Sequence, residues 1–371
     1  MEIHSRKNIK VLFVSTFSKE LNFGGALCSN RNHQSLIDLF GNENVTSFHL
    51  NHEKTVGICK YFFRIKNIFK GYMLALNDAR VNEINRIIIT EEITHVFLDS
   101  SLLGKLSKEL SKQHKSIQII SFFHNFELKF LFEAVVRGRK YSRLFWILLG
   151  YVNEKMTCKY ANSIISLNKC DSDLIKKIYG RTSDFIIPIS LITKVKNDNE
   201  IELNQSYQKN ERINLLFIGS NFYANVHGIQ WFLSNVLPKI NANLTIIGKD
   251  IDKVELKYNE KCKVEILANV KDLSYYYNRS ELVIAPIFLG SGMKVKIAEA
   301  IMYNKPVLGT SMAFEGYDLE NDSLILANNS FEFIRQIVEF DPKILVDKPY
   351  KLFLEKYSFN ATINQFEKVF Y

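Results

Sequence analysis

Short apolar runs alternate with stretches of helical periodicity along the chain. Runs rich in Val, Ile, Leu and Phe are typical of buried parallel strands. In the first half they cover Val11–Phe17, Val45–Leu50, His95–Asp99, Ile117–Phe123, Asn162–Leu167 and Asp184–Pro188. Helical patterns lie between them, at Ala26–Phe40 and Leu102–Gln113. Strands that alternate with helices predict βαβ units and a mostly parallel sheet.

A second series begins after Lys194–Arg212, a polar, Asn-rich segment without periodicity that we predict to be a linker. Its predicted strands are Ile213–Gly219, Leu244–Gly248, Val264–Leu267, Leu282–Ile287, Val307–Thr310 and Leu324–Ala327. A helix is predicted at His227–Ile240 because its apolar residues fall on one face. We therefore predict an α/β protein with two Rossmann-like, doubly wound domains, residues 1–190 and 191–350. They would face a crevice at the carboxyl ends of both sheets.

The segment Leu282–Thr310 combines a strand, a glycine turn, a helix and a second strand. Gly290 and Gly292 interrupt the apolar run, and a helical pattern starts near Met293. The free N–H groups and the positive dipole end of such a helix suit a diphosphate. The same turn occurs in any doubly wound α/β protein, so by itself it leaves nucleotide binding open.

Charged side chains follow this turn. Lys294 and Lys296 add positive charge beside the expected diphosphate position. Glu299 lies further along the predicted helix, where its carboxylate could accept hydrogen bonds from ribose hydroxyls. Together these residues favour a nucleotide site over a plain structural turn.

Composition narrows the class of protein. The 371 residues are 47 % hydrophobic and 23 % charged, which is typical of a globular chain with room for two domains. The five cysteines are scattered and form no Cys-x-x-Cys pair, so we expect no disulfide framework, no zinc site and a reducing compartment. No secretory signal is visible, and no apolar run reaches the roughly 18–20 residues that span a bilayer. We therefore expect a cytoplasmic protein.

The net charge of +9 favours anionic partners, namely nucleotide phosphates, nucleic acid or an anionic membrane surface. We find no zinc finger and no RNP-type strand, so no nucleic acid partner is expected. Two segments, Lys60–Lys70 and Phe130–Val152, mix basic and large apolar residues. The basic residues of the second segment are Arg137, Arg139, Lys140 and Arg143. Either segment is interpreted as a membrane face or as a core helix with a solvated basic side.

The string Leu282–Thr310 as a whole resembles the donor-site segment of GT-B glycosyltransferases, especially the large retaining family 4. Many members read Pro-x-x-x-Gly-x-Gly-x-x-x-Lys-x-x-Glu-Ala-Met-x-x-Gly-x-Pro-Val-Val-x-Thr. The matching residues are Pro286, Gly290, Gly292, Lys296, Glu299, Ala300, Pro306, Val307 and Thr310. Asn304 stands where a glycine is common. Ser291 stands where many members carry the first Glu of a Glu-x7-Glu pair, which puts in doubt any role that needs that carboxylate.

Further parts of the second half resemble the same family. Phe217–Ile240 looks like the opening of the family's second domain, where Gly219, Ser220 and Asn221 would bring backbone amides to the phosphates. The resemblance implies that the backbone around Val270 reads the nucleobase.

Two more features follow from the resemblance. Many family members carry an Arg and a Lys as phosphate clamps near the start of the second domain. This chain lacks them there, and Lys294 and Lys296 would substitute. Residues 351–371 look like the closing helix, which crosses back and packs on the first domain.

The first half carries a weaker resemblance. Gly24 and Gly25 match the family's glycine loop, which faces the phosphates and the acceptor, although a simple tight turn is the alternative. His124 follows a predicted strand and resembles the histidine that hydrogen-bonds the donor sugar; a structural histidine is the alternative. Glu127 would orient His124 or touch the acceptor, and Asp99 would contribute to the wall of the acceptor site.

The resemblance implies a glycosyltransferase that moves a sugar, with retention, from a nucleotide-diphosphate sugar, most simply a UDP-sugar, to a glycan or lipid-linked glycan. The catalytic residues would be His124, Lys294 and Glu299. The donor-binding residues would be Gly24, Gly25, Gly219, Ser220, Asn221, Val270, Gly290, Ser291, Gly292, Met293, Lys294, Lys296 and Glu299. No metal and no separate cofactor are expected, since backbone amides, the helix dipole and lysines would stabilise the leaving diphosphate.

The expected setting is bacterial surface polysaccharide synthesis at the inner face of the cytoplasmic membrane, with peripheral attachment to anionic lipid. Two alternatives remain open. One is a GT-B sugar-nucleotide epimerase, and the other is a catalytically degenerate GT-B binding subunit. A nicotinamide dehydrogenase is disfavoured because no Gly-x-Gly-x-x-Gly follows the first strand of either domain.

Overall fold

The computed structural model describes residues 9–17, 24–50, 66–136, 144–193 and 212–371. It divides into two compact units. The first comprises Met1–Pro188 with Thr362–Tyr371, and the second comprises Ile189–Ala361. Most of the predicted linker, residues 194–211, lies outside the described residues.

The first unit is built on a six-stranded sheet. Its strands are β1 Val11–Ser15, β2 Val45–His49, β3 His95–Leu98, β4 Gln118–Phe123, β5 Ser163–Ser166 and β6 Phe185–Ile186. They lie in the order β2-β1-β3-β4-β5-β6, and all neighbouring pairs are parallel. Its helices are α1 Gly24–Phe40, α2 Asp78–Thr90, α3 Gly104–Gln113, α4 Glu127–Val136, α5 Leu144–Tyr160 and α6 Lys169–Tyr179.

Helices cover this sheet with apolar faces. In α2 the buried residues are Val81, Ile84 and Ile88, which share one side of the helix. The helix begins where the Asn77 side chain accepts the N–H of Arg80, a standard N-terminal cap. Because both faces of the sheet are covered, its strands read as continuous apolar runs, and every residue of β1 is buried.

The second unit contains another six-stranded parallel sheet, in the order β12-β11-β10-β7-β8-β9. Its strands are β7 Ile213–Ile218, β8 Ala242–Gly248, β9 Lys263–Ala268, β10 Leu282–Ala285, β11 Val307–Gly309 and β12 Leu324–Leu326. The helices that follow β7 are α7 Tyr223–Asn235, α8 Ser274–Arg279, α9 Val295–Met302, α10 Ser330–Val338, α11 Lys348–Leu352 and α12 Phe359–Glu367. β7 lies between β8 and β10, so the strand order reverses there, and the loops after β7 and β10 leave adjacent strands at the carboxyl edge.

These two sheets confirm the predicted α/β class with parallel, doubly wound sheets. Two predicted helix bounds need correction. α7 begins and ends earlier than His227–Ile240, because Pro238 lies in a separate 3₁₀ turn, Leu237–Lys239. α9 begins at Val295 rather than near Met293.

The predicted closing helix over residues 351–371 is shared by the two units. Only Thr362–Tyr371 belongs to the first unit. The preceding residues stay with the second unit, where Leu191 and Ser358 form a parallel bridge. The helix itself is shorter than predicted, since α12 covers Phe359–Glu367.

Aromatic contacts hold the last residues on the first unit. The Phe366 ring lies 4.8 Å from the buried guanidinium of Arg31 and 6.3 Å from the Phe97 ring. The Phe370 ring packs edge-on against Phe40, with their centroids 4.8 Å apart. Within the first unit, the end of the chain is therefore part of the core.

Candidate functional site

The glycine turn of the second unit lies between β10 and α9. Gly290 has a φ of 105° and Gly292 a φ of 75°, both in the region that favours glycine. Between them, the Ser291 hydroxyl oxygen is buried and has no hydrogen-bond partner among the described residues. This hydroxyl could therefore form a hydrogen bond with a ligand bound at the turn.

The loop that leads into this turn packs closely against α7. A Cβ atom added to Gly228 would lie 2.0 Å from the carbonyl oxygen of Pro286, so only glycine permits this approach. The loop after β7 and the loop after β10 are therefore held close together within the second unit.

Lys296 connects these two loops. Its ammonium donates a hydrogen bond of 2.7 Å to Asn225 Oδ1 and lies 5.0 Å from the centroid of the Phe217 ring. Asn225 Nδ2 in turn donates to the carbonyl oxygen of Ser220, at 3.1 Å. Burial, and then the nearby charge of Lys294, lower the pKa of Lys296 to about 7. In the part of the chain that the structure describes, no carboxylate lies within ion-pair distance of this ammonium.

Lys294 makes different contacts. Its ammonium donates to the carbonyl oxygen of Gly292 at 2.5 Å and forms an ion pair of 3.5 Å with Glu315. The Tyr317 hydroxyl donates to the carbonyl oxygen of Lys294 at 2.8 Å. Both the side chain and the backbone of Lys294 are thus bound inside the second unit.

Glu299 lies on α9, partly exposed. The buried Tyr277 hydroxyl donates to its carboxylate at 3.3 Å. The Tyr277 ring stacks on Tyr303, with centroids 4.6 Å apart. Burial, together with the Glu299 charge, raises the pKa of Tyr277 well above its usual value, so this hydroxyl stays a donor. The Tyr277 hydroxyl therefore helps to position the Glu299 carboxylate.

The amides proposed for the phosphates are only partly available. The N–H of Gly219 donates to Ile247 and that of Asn221 donates to Lys249, both to backbone carbonyls at 2.8 Å. The expectation that both amides face a phosphate is thus corrected, because the fold already uses them. Ser220 is exposed at the end of β7 and stays a candidate.

The residue predicted to read the base lies in the loop after β9. Val270 is partly exposed and follows Asn269, whose φ is 56°. The left-handed residue turns the chain away from the strand, so the Val270 backbone is presented in a loop before α8.

His124 in the first unit directly follows β4. Its Nε2 lies 3.1 Å from Asp99 Oδ1 and 3.1 Å from the Asp99 carbonyl oxygen. The rings of Phe17 and Phe122 pack edge-on against the imidazole, at 5.5 and 4.9 Å. The His124 side chain is 9 % exposed and that of Asp99 is fully buried, so solvent has little access to this pair.

Asp99 accepts further hydrogen bonds from side chains of β1 and α1. The Ser15 hydroxyl donates at 2.8 Å, Asn32 Nδ2 donates at 2.9 Å, and the Ser29 hydroxyl donates to the same carboxylate. Four donors around one buried carboxylate satisfy it well. Sequence reasoning missed Ser15, Ser29 and Asn32. Ser29 and Asn32 lie three positions apart and so share one face of α1, but α1 carries many other polar residues that hide this signal.

The electrostatics of the pair follow from these contacts. Burial alone would raise the pKa of Asp99, but the His124 charge and the hydrogen bonds lower it overall. Burial would also lower the pKa of His124, yet Asp99 and the neighbouring Cys28 thiol raise it well above 6.5. We infer an imidazolium–carboxylate pair at neutral pH. His124 Nδ1 is buried without a hydrogen bond of ordinary length, although Cys28 interacts with the ring.

The predicted glycine loop of the first unit forms the start of α1. A Cβ on Gly25 would lie 3.0 Å from the ring of Phe17, the residue that also packs on His124. The structure thus brings Gly25, Phe17, His124 and Asp99 into one cluster. Gly24 is the first residue of the same helix.

Glu127 lies near His124, and a second carboxylate, Glu154, contacts the backbone of Glu127. Burial raises the pKa of Glu127. Glu154 is fully buried and accepts the N–H groups of Glu127 and Leu128 at 3.0 and 3.1 Å, which caps the first turn of α4. Burial, followed by the Glu127 charge, raises the pKa of Glu154 to about 8. Glu154 thus stabilises the start of α4, which is a structural role.

The described residues contain neither a cluster of metal ligands nor a helix that could span a membrane. They contain no group of three or more His, Cys, Asp or Glu side chains that could hold a metal ion. None of the helices within the described ranges is long and apolar enough to cross a membrane.

Comparisons with known proteins point to one family. Residues 212–340 match the family model described as Glycosyl transferases group 1. A Klebsiella pneumoniae protein described as an uncharacterized 44.6 kDa protein in the cps region is 26 % identical over 147 residues, 35 % of this chain and 38 % of that protein. The similarity thus spans well under half of that relative's length.

Solved structures extend the likeness to nearly the whole chain. Anabaena HepE in complex with UDP-glucose has a TM-score of 0.65 at 12 % identity, covering 97 % of this chain and 99 % of that one. A Rickettsia africae glycosyltransferase has a TM-score of 0.63 at 13 % identity, covering 98 % of both chains. At such identities the likeness shows the fold alone, and it confirms the predicted GT-B architecture. The match over residues 212–340 confirms the resemblance of the donor-site segment and supports a glycosyltransferase.

Proposed function

We propose that this protein transfers a sugar, with retention, from a UDP-sugar to a saccharide or lipid-linked saccharide. The observation that carries the proposal is the glycine turn of the second unit. It combines a buried, unpartnered Ser291 hydroxyl with the Lys296 ammonium, whose hydrogen-bond acceptor is a neutral amide. The turn lies inside the segment that matches the glycosyltransferase model. The UDP-glucose complex of Anabaena HepE supports uridine as the base.

The proposed chemistry places the leaving diphosphate at this turn. The bond between the anomeric carbon and the β-phosphate oxygen breaks, and negative charge collects on the diphosphate. The amino end of α9 and the Lys296 ammonium stabilise that charge. The acceptor hydroxyl oxygen bonds to the anomeric carbon on the same face, and its proton passes to the departing phosphate. The proposed route uses neither a metal nor a carboxylate base.

Glu299 and His124 complete the proposed catalytic set. Glu299 would bind ribose hydroxyls through its carboxylate, which the Tyr277 hydroxyl helps to position. His124 would contact the donor sugar with its ring held in place by the contact between Nε2 and Asp99. Fixing the ring in advance lowers the cost of ordering it in the transition state.

The acceptor and its location are also proposed. The Klebsiella relative from a cps region supports a role in surface polysaccharide synthesis. We propose peripheral attachment to anionic lipid at the cytoplasmic face of the membrane, through an apolar face on α4 and α5. Exposed large residues of this face are Phe132, Val136, Leu144, Phe145, Trp146, Leu148 and Val152.

Charge on α5 supports this attachment. Its exposed charged residues, Lys155 and Lys159, are both basic, whereas its one acidic residue, Glu154, is buried. Basic and large apolar residues on one helix suit an anionic membrane surface. Residues 60–65 of the first basic segment lie outside the described residues, as do Arg137, Arg139, Lys140 and Arg143.

Sedimentation with phosphatidylglycerol vesicles tests the membrane face. Leu148→Glu, which changes a residue 59 % exposed on α5, should reduce binding at least severalfold. Phe331→Glu is the matched control, since Phe331 is 69 % exposed on α10 of the second unit. Equal binding by the wild type and by Leu148→Glu would refute this face.

The donor assignment is tested by thermal shift with a panel of nucleotide sugars. A ligand that binds the native state raises the melting temperature by mass action. We expect uridine compounds to stabilise the wild type and to lose this effect in Glu299→Ala. No shift from any nucleotide would refute the donor site.

A catalytically degenerate binding subunit is the second candidate. Ser291 in place of a carboxylate favours it, as does the use of the Gly219 and Asn221 amides within the fold. Such a subunit would bind UDP-sugar without releasing UDP when acceptor is supplied. An epimerase, in contrast, would consume donor without any acceptor, so the two outcomes are distinguished by one turnover assay.

A further inference from the structure

The ammonium of Lys294 is occupied by the protein itself. It donates to the Gly292 carbonyl at 2.5 Å and lies 3.5 Å from Glu315 Oε2. The two side chains are only 12 % and 13 % exposed. An ion pair this well shielded is much less screened by salt than a surface pair. The Lys294 side chain is therefore held in one position.

The same loop also holds the backbone of Lys294. Tyr317 is buried, and its hydroxyl donates to the Lys294 carbonyl at 2.8 Å while accepting the N–H of Ala298 at 3.2 Å. Glu315 and Tyr317 both belong to the segment after β11. This segment thus holds the first turn of α9 through both the ammonium and the carbonyl of Lys294. We call these contacts of Glu315 and Tyr317 with Lys294 the brace.

The brace has a consequence for the glycine turn. The carbonyl of Gly292 and the N–H of Met293 belong to one planar trans peptide, so they point in opposite directions. When the Lys294 ammonium holds the carbonyl, the N–H of Met293 is turned to the other side. The left-handed φ of Gly292, 75°, allows this orientation without strain.

We propose that Glu315 is a positioning residue of the donor site, acting through Lys294. It keeps the ammonium on the Gly292 carbonyl and thereby directs the Met293 amide to the diphosphate. Lys296 then supplies the positive charge that meets the ligand. This inference rests on the proposed donor site, and it reassigns Lys294 from the catalytic group to the support of the turn.

The competing role for Lys294 predicts the opposite sign. If Lys294 bound the diphosphate directly, the Glu315 carboxylate would compete with the ligand for its ammonium. Removal of the Glu315 charge would then strengthen UDP binding. If Glu315 positions the turn, the same removal weakens binding.

Calorimetric titration with UDP distinguishes these roles. We expect Glu315→Gln and Lys294→Met each to weaken UDP binding roughly tenfold, a usual size for coupling through a supporting residue. The double variant should be no weaker than either single variant, because both remove one interaction. The exchange Lys294→Glu with Glu315→Lys should not recover the affinity, because a carboxylate at position 294 cannot donate to the Gly292 carbonyl. Unchanged or tighter UDP binding by Glu315→Gln, with strong loss in Lys294→Met, would overturn the proposal.

Hydrogen exchange in the ligand-free protein gives an independent readout. Glu315→Gln and Lys294→Met should speed amide exchange in residues 290–302. Asp322→Asn is the matched control, because it removes an exposed ion pair with Lys348 in the same unit. Unchanged exchange in Glu315→Gln would overturn the brace even if UDP binds.

Failure of the proposed function is distinguishable from failure of this inference. If the wild type binds no UDP, the donor assignment fails, and exchange alone judges the brace. Faster exchange in residues 290–302 of Glu315→Gln would still support it. A melting temperature close to that of the wild type shows that the variant folds.

Discussion

Two partly buried cations, one in each unit, make different contacts. His124 in the first unit lies 3.1 Å from Asp99, whose carboxylate is satisfied by three more donors. Lys296 in the second unit donates to a neutral amide oxygen of Asn225 at 2.7 Å. The first charge is neutralised by the protein, and among the described residues the second has no such counter-charge.

The difference indicates two roles: His124 is held in a fixed orientation, whereas Lys296 is suited to bind an anion. Burial beside a carboxylate raises the pKa of His124 and keeps its ring in one orientation. Burial without a neighbouring carboxylate lowers the pKa of Lys296 to about 7. A bound anionic ligand would raise this pKa and favour the protonated ammonium. We therefore expect Lys296 to matter most for binding a diphosphate, and the Asp99–His124 pair to matter for stability and orientation.

The largest effect on turnover is expected from Lys296→Met. The variant loses the cation that faces the leaving diphosphate, so release of UDP from the sugar donor should slow about 100-fold. The rate is measured with the nucleotide sugar that gives the greatest thermal shift. Lys253→Met is the control, since Lys253 is 67 % exposed and pairs with Asp250 on the surface. A rate within twofold of the wild type would contradict the assigned role.

Asp99→Asn should have the largest effect on stability. It leaves a buried imidazole without its counter-charge, and breaking a buried pair costs about 3–5 kcal/mol of unfolding free energy. Denaturant unfolding measures this cost. Asp173→Asn, which changes an exposed carboxylate of α6, should change stability by less than about 0.5 kcal/mol.

The pH dependence of this pair has a definite sign. The lowered pKa of Asp99 stabilises the fold above the unfolded value of about 3.9 and is lost as pH falls through the folded value. The raised pKa of His124 stabilises it below the unfolded value of about 6.5 and is lost as pH rises through the folded value. Asp99→Asn should therefore destabilise more at pH 6 than at pH 9. An equal loss at both values would refute the ion pair.

The lowered pKa of Lys296 predicts a smaller effect on ligand affinity. Its ammonium loses its proton as pH rises through about 7, and bound diphosphate favours the charged form. The dissociation constant for UDP should rise about fivefold between pH 7 and 8, with proton uptake on binding. Calorimetry in buffers of different ionisation enthalpy measures that uptake. Lys296→Arg stays charged and should abolish the pH dependence, so persistence of the trend in this variant would exclude Lys296 as its source.

Tyr277→Phe should have the smallest effect of the set. It removes the 3.3 Å hydrogen bond to Glu299 but keeps the ring that stacks on Tyr303. The net loss of one such bond is about 1 kcal/mol, so UDP should bind roughly fivefold more weakly. Equal loss of uridine binding is expected, because Glu299 is assigned to the ribose. A loss confined to UDP would move Glu299 to the phosphates.

Much of the fold could be predicted from the sequence. The buried strands β1 and β10 are continuous apolar runs in the sequence. Gly290 and Gly292 indicate the turn after β10, where both residues adopt positive φ values that favour glycine. Local pattern and backbone geometry determine such features, so one sequence is enough to find them.

Other features depend on contacts between distant residues. Glu315 reaches Lys294 across 21 positions of the chain, and Ser15 reaches Asp99 across 84. No periodicity reveals such pairs. The hydrogen bond from the Asn221 N–H to the Lys249 carbonyl could not be predicted either, because it depends on how two neighbouring strands end.

The most direct test of the central claim compares UDP with uridine in calorimetric titrations of the wild type, Lys296→Met and Glu299→Ala. The account predicts that Lys296→Met weakens UDP strongly and leaves uridine unchanged, because only UDP carries the diphosphate. Glu299→Ala should weaken both ligands by a similar factor. Equal weakening of UDP and uridine by Lys296→Met, or no effect on either, would contradict a diphosphate site at this glycine turn.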